Sequence, residues 1–282
     1  MSKIKITVDS TCDLSPEILE KYQISVSPLY IVKDGKALKD GVEITPQDIY
    51  DYVDRTGNVT TTAAVSVADY LEFFKPFVEE GYEVVHINIS TGFSSCYQNA
   101  CIAAEELGNV YPVNSLNLST GSGLSALEAV SLAEQGKSAA EIKEYLDTQV
   151  VPKVEASFVI DTLKYLHPGG RCSSVAALGA NLLKLKPCIE VQNGLMHVGK
   201  KYRGAIDKCI NEYVTNRLKD REDINYKRIF ITHTDCPPAV IEAAKKAIQQ
   251  YGRFEEVLET NAGCTVSNPC GPGTRGVLFI RK

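Results

Sequence analysis

A chain of 282 residues exceeds one ordinary domain, so two domains or a single large barrel are the arrangements to expect. Hydrophobic residues make up 44% and charged residues 23%, which excludes a disordered tail, a collagen-like fibre and a disulfide miniprotein. The formal net charge of -5 gives no general attraction to nucleic-acid phosphates or anionic membranes.

The start, MSKIKITVDS, has no apolar core of a signal peptide, and no stretch approaches the roughly 18 apolar residues of a membrane span. Nine cysteines, an odd number without a CxxC pair, fit reduced thiols in a cytoplasm. A cytoplasmic protein without nucleic-acid partner or membrane span is the expectation.

In chain order, Lys3 to Val8 predicts a β-branched strand followed by the polar loop Asp9 to Asp13. Ser15-Pro16-Glu17 opens a helix, with serine as N-cap, proline at the first helical position and an acid in the first turn. Thr45-Pro46-Gln47-Asp48 repeats this logic, and Ser66 with Asp69 and Ser138 with Glu141 have capping-box spacing. Glu83 to Ile89 predicts a second strand, and Ser94 through Leu107 a helix. This alternation argues for a parallel sheet flanked by helices.

After about Val154 the pattern changes. Ser157 to Ile160, Ile189 to Gln192 and Leu195 to Val198 predict strands, the last two joined by the hairpin turn Asn193-Gly194. Arg228 to His233 predicts another strand, Pro237 to Tyr251 a helix, and Gly276 to Ile280 a final strand. The expected fold class is α/β: an N-terminal domain over 1–153 with a mainly parallel sheet, and a C-terminal α+β domain over 154–282.

Several familiar motifs fail. Gly194 to Lys200 matches the first part of a nucleotide-binding loop, but Lys201 stands where Ser or Thr must bind magnesium, and the glycine belongs to a hairpin. No GxSxG occurs, and His86, His167, His197 and His233 have no metal-ligand spacing. Three polar clusters remain. Thr60-Thr61-Thr62 precedes the helix capped at Ser66. Ser90 to Ser95 lies between a strand's carboxyl end and a helix start, a place that suits an anion or simply caps its own helix. Gly169-Gly170-Arg171 is either a close backbone approach with a guanidinium fork or a tight surface turn. Gly271-Pro272-Gly273 is by itself a rigid turn.

Six segments in this order resemble the DegV family of bacterial fatty-acid-binding proteins: VDSTCDL near the start, ISTGFSSCYQNA at 89–100, VNSLNLSTGSGLSALEA at 113–129, LKYLHPGGRCSSVAALGANLLKLKP at 163–187, GLMHVGKKYRG at 194–204 and CGPGTRG near the end. The resemblance implies an α/β domain and an α+β domain with one long-chain fatty acid buried in a cleft between them, and no cofactor. It implies that Thr62, with Thr61 adjacent, Ser94, with Ser95 adjacent, and Arg171 hold the carboxylate. It further implies a non-catalytic carrier that presents its acyl carboxylate to a separate ATP-dependent kinase subunit, which makes an acyl-phosphate for phospholipid synthesis. Three departures stand beside it: Pro269 where the family usually has histidine, Ser95 in place of a glycine, and Ala63 and Ala64 where serine and glutamine are common. Two other readings are a hydrolase or phosphotransferase using Ser94 or Ser95 with His233, and a regulatory module for another amphiphile. Val175 to Leu185, apolar with small residues, is expected to be a packed helix.

Overall fold

The computed structural model describes residues 3–162, 164–165 and 185–282. The expected GGR loop with Arg171 lies outside the described residues. So does the helix expected from Val175, except for Leu185, which begins a strand.

Strands β1 (Lys3–Asp9), β2 (Ser25–Ser27), β6 (Tyr82–Asn88) and β7 (Val110–Asn114) form a parallel sheet in the order β2-β1-β6-β7. Between β2 and β6 the chain makes a small antiparallel sheet from β3 (Tyr30–Lys33), β4 (Lys36–Lys39) and β5 (Thr61–Ala63). The threonine cluster is thus partly strand: Thr61 pairs with Val32 and Thr62 with Ile31.

Helix starts follow the local chemistry. α1 (Pro16–Lys21) is capped by Ser15, whose hydroxyl accepts from the Ile18 N–H. α2 (Pro46–Thr56), α3 (Val67–Glu79) and α6 (Ala139–Tyr145) each begin with the full reciprocal capping box at Thr45/Asp48, Ser66/Asp69 and Ser138/Glu141. α3 and α4 (Cys96–Leu107) pack along the parallel sheet through β6 and β7.

α5 (Thr120–Glu134) has eleven buried residues and no polar face. It packs against β1 and β6 and also against β8 and β13 of a second sheet, so it is the shared layer between them. A helix buried all round is what such a two-sided position demands.

The second sheet has six strands: β8 (Val154–Val159), β9 (Leu185–Gln192), β10 (Leu195–Arg203), β11 (Ile224–His233), β12 (Glu256–Asn261) and β13 (Arg275–Arg281). Their order is β10-β9-β8-β13-β11-β12, all pairs antiparallel except β11 with β12. The Asn193-Gly194 turn joins β9 to β10 with φ of 51° and 79°, the left-handed geometry that such a hairpin needs. One face carries Ala156, Val191 and Leu278 into the core that runs through α5 to the parallel sheet. The opposite face carries Val159, Val277 and Phe279 against α7 (Ile206–Leu218) and α8 (Pro238–Tyr251). A short α9 (Cys264–Cys270) leaves the second sheet and packs on α2, β3 and β5.

Among the described residues every cysteine is a free thiol, and no helix is long and apolar enough to cross a membrane.

Tyr213 of α7 fastens the outer layer, since its buried hydroxyl meets the Ser157 carbonyl at 2.7 Å and the Val277 N–H at 2.9 Å. Tyr213→Phe leaves these sheet groups with less than their full complement and costs about 1–3 kcal/mol in urea unfolding; an unchanged midpoint would contradict the assignment.

Candidate functional site

The serine loop grows out of the end of β6 and rests on a buried carboxylate. Asp9, at the end of β1 and 1% exposed, accepts hydrogen bonds from Tyr70 Oη (2.6 Å) and the Ile89 N–H (2.9 Å), with His86 Nε2 at 3.1 Å and Asn88 Nδ2 at 3.3 Å. Thr7 Oγ1 lies 2.8 Å from the other His86 nitrogen. Burial, and then the Asp9 charge, hold the Tyr70 phenol well above its ordinary pKa, so it remains a donor. This network fixes where the parallel sheet ends and the serine loop begins. Its members sit inside strands and a helix, and only the polar letters in otherwise apolar strands, such as His86 in EVVHINI, hint at them.

Within the loop the serines divide. Ser90 is fully buried; its hydroxyl donates to the Gly194 carbonyl at 2.8 Å and accepts from the Gly92 N–H at 3.1 Å. It therefore joins the loop to the β9–β10 turn. Gly92 lies so close that an added Cβ would overlap the Gly194 carbonyl oxygen. Ser94 is half-buried: it accepts from the Cys96 N–H at 3.3 Å and donates to Cys96 Sγ at 3.1 Å. Ser95 is exposed and, although it is the N-cap residue of α4, makes no side-chain cap bond. Burial, with the Asp9 charge second, pushes the Cys96 thiol up to about 12, so it is a neutral, weak acceptor for Ser94.

The threonine strand is tied to this loop through Asn99 of α4, whose amide donates to the Val65 carbonyl at 2.7 Å. Cross-strand pairing puts Thr62 on the same face as buried Ile31, and Thr62 is half-buried while Thr61 is exposed. Among the described residues the hydroxyls of Thr61, Thr62 and Ser95 make no hydrogen bond, and none joins Thr62 to Ser94. Thr60, next in line, is committed: its hydroxyl donates to Asn268 Oδ1 of α9, and Asn268 Nδ2 returns to the Thr60 carbonyl at 3.2 Å. Arg171 lies outside the described residues.

A cavity of about 30 Å³ lies between the six-stranded sheet and α5 and α9. Ala156, Phe158, Val191 and Leu278 line its sheet side, Leu118 and Ser119 its α5 side, and Ala262, Val266 and Cys270 its α9 side. Its polar rim includes Thr232 and His233. Thr232 Oγ1 meets Thr120 Oγ1 at 2.6 Å, which pins the start of α5 to the sheet.

His233, the candidate base of the hydrolase reading, is occupied elsewhere. Its Nδ1 accepts from the Cys236 N–H and its Nε2 faces Glu259 Oε1, each at 3.4 Å. Burial lowers its pKa, a tendency that Glu259 only partly opposes. It makes no hydrogen bond to Ser94 or Ser95 among the described residues.

A family model describing uncharacterised DegV family proteins matches residues 3–282. A DegV domain-containing protein of Clostridium acetobutylicum is 34% identical, with the alignment covering 100% of both chains. A fatty acid-binding protein of Thermotoga maritima is 31% identical over 97% of this chain and 96% of its own. The solved structure of a fatty-acid-binding DegV family protein from Thermus thermophilus superposes with a TM-score of 0.88 at 27% identity, covering 99% of this chain and 100% of that one.

Because the serine loop is seated on the hairpin turn through Gly92, Gly92→Ala is expected to cost about 1–3 kcal/mol by overpacking. Chemical denaturation reads this as a lower midpoint at unchanged slope; no shift would mean that the loop is not pressed against the turn.

Proposed function

The chain belongs to the DegV family, and from that premise we propose that it is a non-catalytic carrier that buries one long-chain fatty acid. The observation that carries this reading is the apolar cavity between the six-stranded sheet, α5 and α9, in a fold whose relatives are named for fatty acid binding. The acyl chain enters that cavity, where each buried methylene contributes about 0.8 kcal/mol. The carboxylate stays at the loops, because burying it without partners costs several kcal/mol.

In this reading Thr62 and Ser94 donate to the carboxylate, Arg171 supplies the opposing charge, and Thr61 and Ser95 flank them. Ser94 suits the task because its present acceptor is a thiol, so turning its proton toward a carboxylate gives up little. The serine and threonine hydroxyls act as donors. A nucleophilic role needs an activating base, and His233 bonds elsewhere.

We propose further that the carboxyl end is offered to a separate ATP-using kinase and that the protein works in the cytoplasm. Pro269, inside α9, has neither side-chain donor nor N–H to contribute to that transfer.

The headgroup assignment is tested by titrating a fluorescent long-chain fatty acid into the Thr62→Val, Ser94→Ala double variant and into Arg171→Ala. Losing charge-assisted bonds of about 1.5–3 kcal/mol each weakens binding at least about tenfold in both, with circular dichroism unchanged. Wild-type affinity in both variants would overturn the assignment.

A further inference from the structure

This inference rests on the lipid-binding reading above and concerns how the cavity admits its ligand. At about 30 Å³ the cavity is far smaller than a site for a long acyl chain, so such a chain needs a wall to move. Of the described walls, β8, β9, β11 and β13 are locked in sheet ladders, and α5 is packed between two sheets. α9 differs. It has seven residues, contains Pro269, and is followed by Gly271 and Gly273 at φ of 66° and 81°. So short a helix is not self-supporting.

What holds it is a pair of buried aspartates from the other end of the chain. Asp13 Oδ1 accepts from the Gly263 N–H at 2.7 Å, and its Oδ2 from Ser119 Oγ at 2.6 Å. Asp40 Oδ1 accepts from the Cys264 N–H at 2.8 Å, and its Oδ2 from the Thr265 N–H at 3.0 Å, Thr265 Oγ1 at 2.7 Å and Ser10 Oγ at 3.1 Å. Three successive N–H groups at the start of α9 thus end on two carboxylates, and Ser119, on the Asp13 carboxylate, also lines the cavity. Among the described residues no lysine or arginine pairs with either aspartate.

We propose that Asp13 and Asp40 are positioning residues for the ligand: they latch α9 against the cavity, and exchange of the bound fatty acid requires this latch to open.

The latch is linked to protons. Burial raises the Asp13 carboxyl to about 7, opposed by the bonds from Ser119 and Gly263 and assisted by Asp40. The titratable groups around it are Asp40, Asp9 and Cys12 on the N-terminal side and Cys264 on α9; the last two are thiols pushed far up by burial. On opening, Asp13 meets water and returns toward its ordinary value. The closed form therefore holds the proton more tightly, and its advantage is complete at low pH and lost as pH rises through about 7. Opening becomes easier with rising pH, by at most about tenfold per unit, and levels off above neutrality. His233, on the cavity rim with a lowered pKa, has the opposite sign and favours opening on acidification.

The test follows transfer of pyrene-labelled dodecanoic acid from the full-length protein to phosphatidylcholine vesicles by stopped flow between pH 5.5 and 8.5. In parallel, amide exchange of residues 262–271 is measured on the ligand-free protein and corrected for intrinsic rates. The expected result is a dissociation rate that climbs to about neutral pH and then flattens, a matching loss of protection, and no such rise in Asp13→Asn, where only the opposite slope from His233 remains. The exchange measurement on wild type stands even if that variant does not fold. Probe that is not bound, with protection that still falls toward neutral pH, sinks the lipid reading and leaves the latch supported. Rates and protection without this rise and loss, or a rise that persists in Asp13→Asn, overturn the latch.

Discussion

The constraint on which the structure depends is that α5 must be buried on both sides. The first half of this helix, between two sheets, is buried on every side and so is made largely of small residues: Gly121, Ser122, Gly123, Ser125 and Ala126. Gly123 shows the tightness, since an added Cβ would press on Leu14 and the Cys12 carbonyl. Because α5 brings the two sheets into one continuous core, the strand ends and loops of both halves meet at a single seam. The serine loop rests on the β9–β10 turn there, and α9 reaches back to the first loop.

Hydrogen bonding at this seam sorts polar residues into two kinds. Ser90, Thr60, Ser119 and Asp9 are spent on holding the frame. Among the described residues the Thr62 hydroxyl makes no hydrogen bond and the Ser94 hydroxyl donates only to a thiol, which leaves both protons available to a ligand. The same sorting favours the proposed carrier over a hydrolase. Among the described residues Ser94 and Ser95 bond to no histidine or carboxylate, the Cys96 thiol is held neutral by burial, and His233 is engaged with Glu259 and the Cys236 N–H.

Much of the fold was legible locally. Capping boxes at Thr45, Ser66 and Ser138 marked helix starts because they are satisfied within four residues, and Asn193-Gly194 marked a hairpin because its φ values demand those residues. Features set by long-range contact were not legible. α5 lacks amphipathic periodicity because both of its sides are buried. β5 is strand only because β3 lies beside it, and Leu185 is strand only because β10 pairs with it. At the candidate site, the serine and threonine segments were visible as polar clusters, but nothing local separated Ser90, a strut, from Ser94. The carboxylates Asp9, Asp13 and Asp40 gain their roles from partners up to 250 residues away.

The central claim is that the cavity between the six-stranded sheet, α5 and α9 takes up a fatty acid. Native mass spectrometry of the freshly purified protein, followed by solvent extraction, tests it most directly. The account predicts one long-chain fatty acid per chain at near-unit occupancy, released on denaturation. A protein that carries none, and takes up none when fatty acids are supplied, would contradict it.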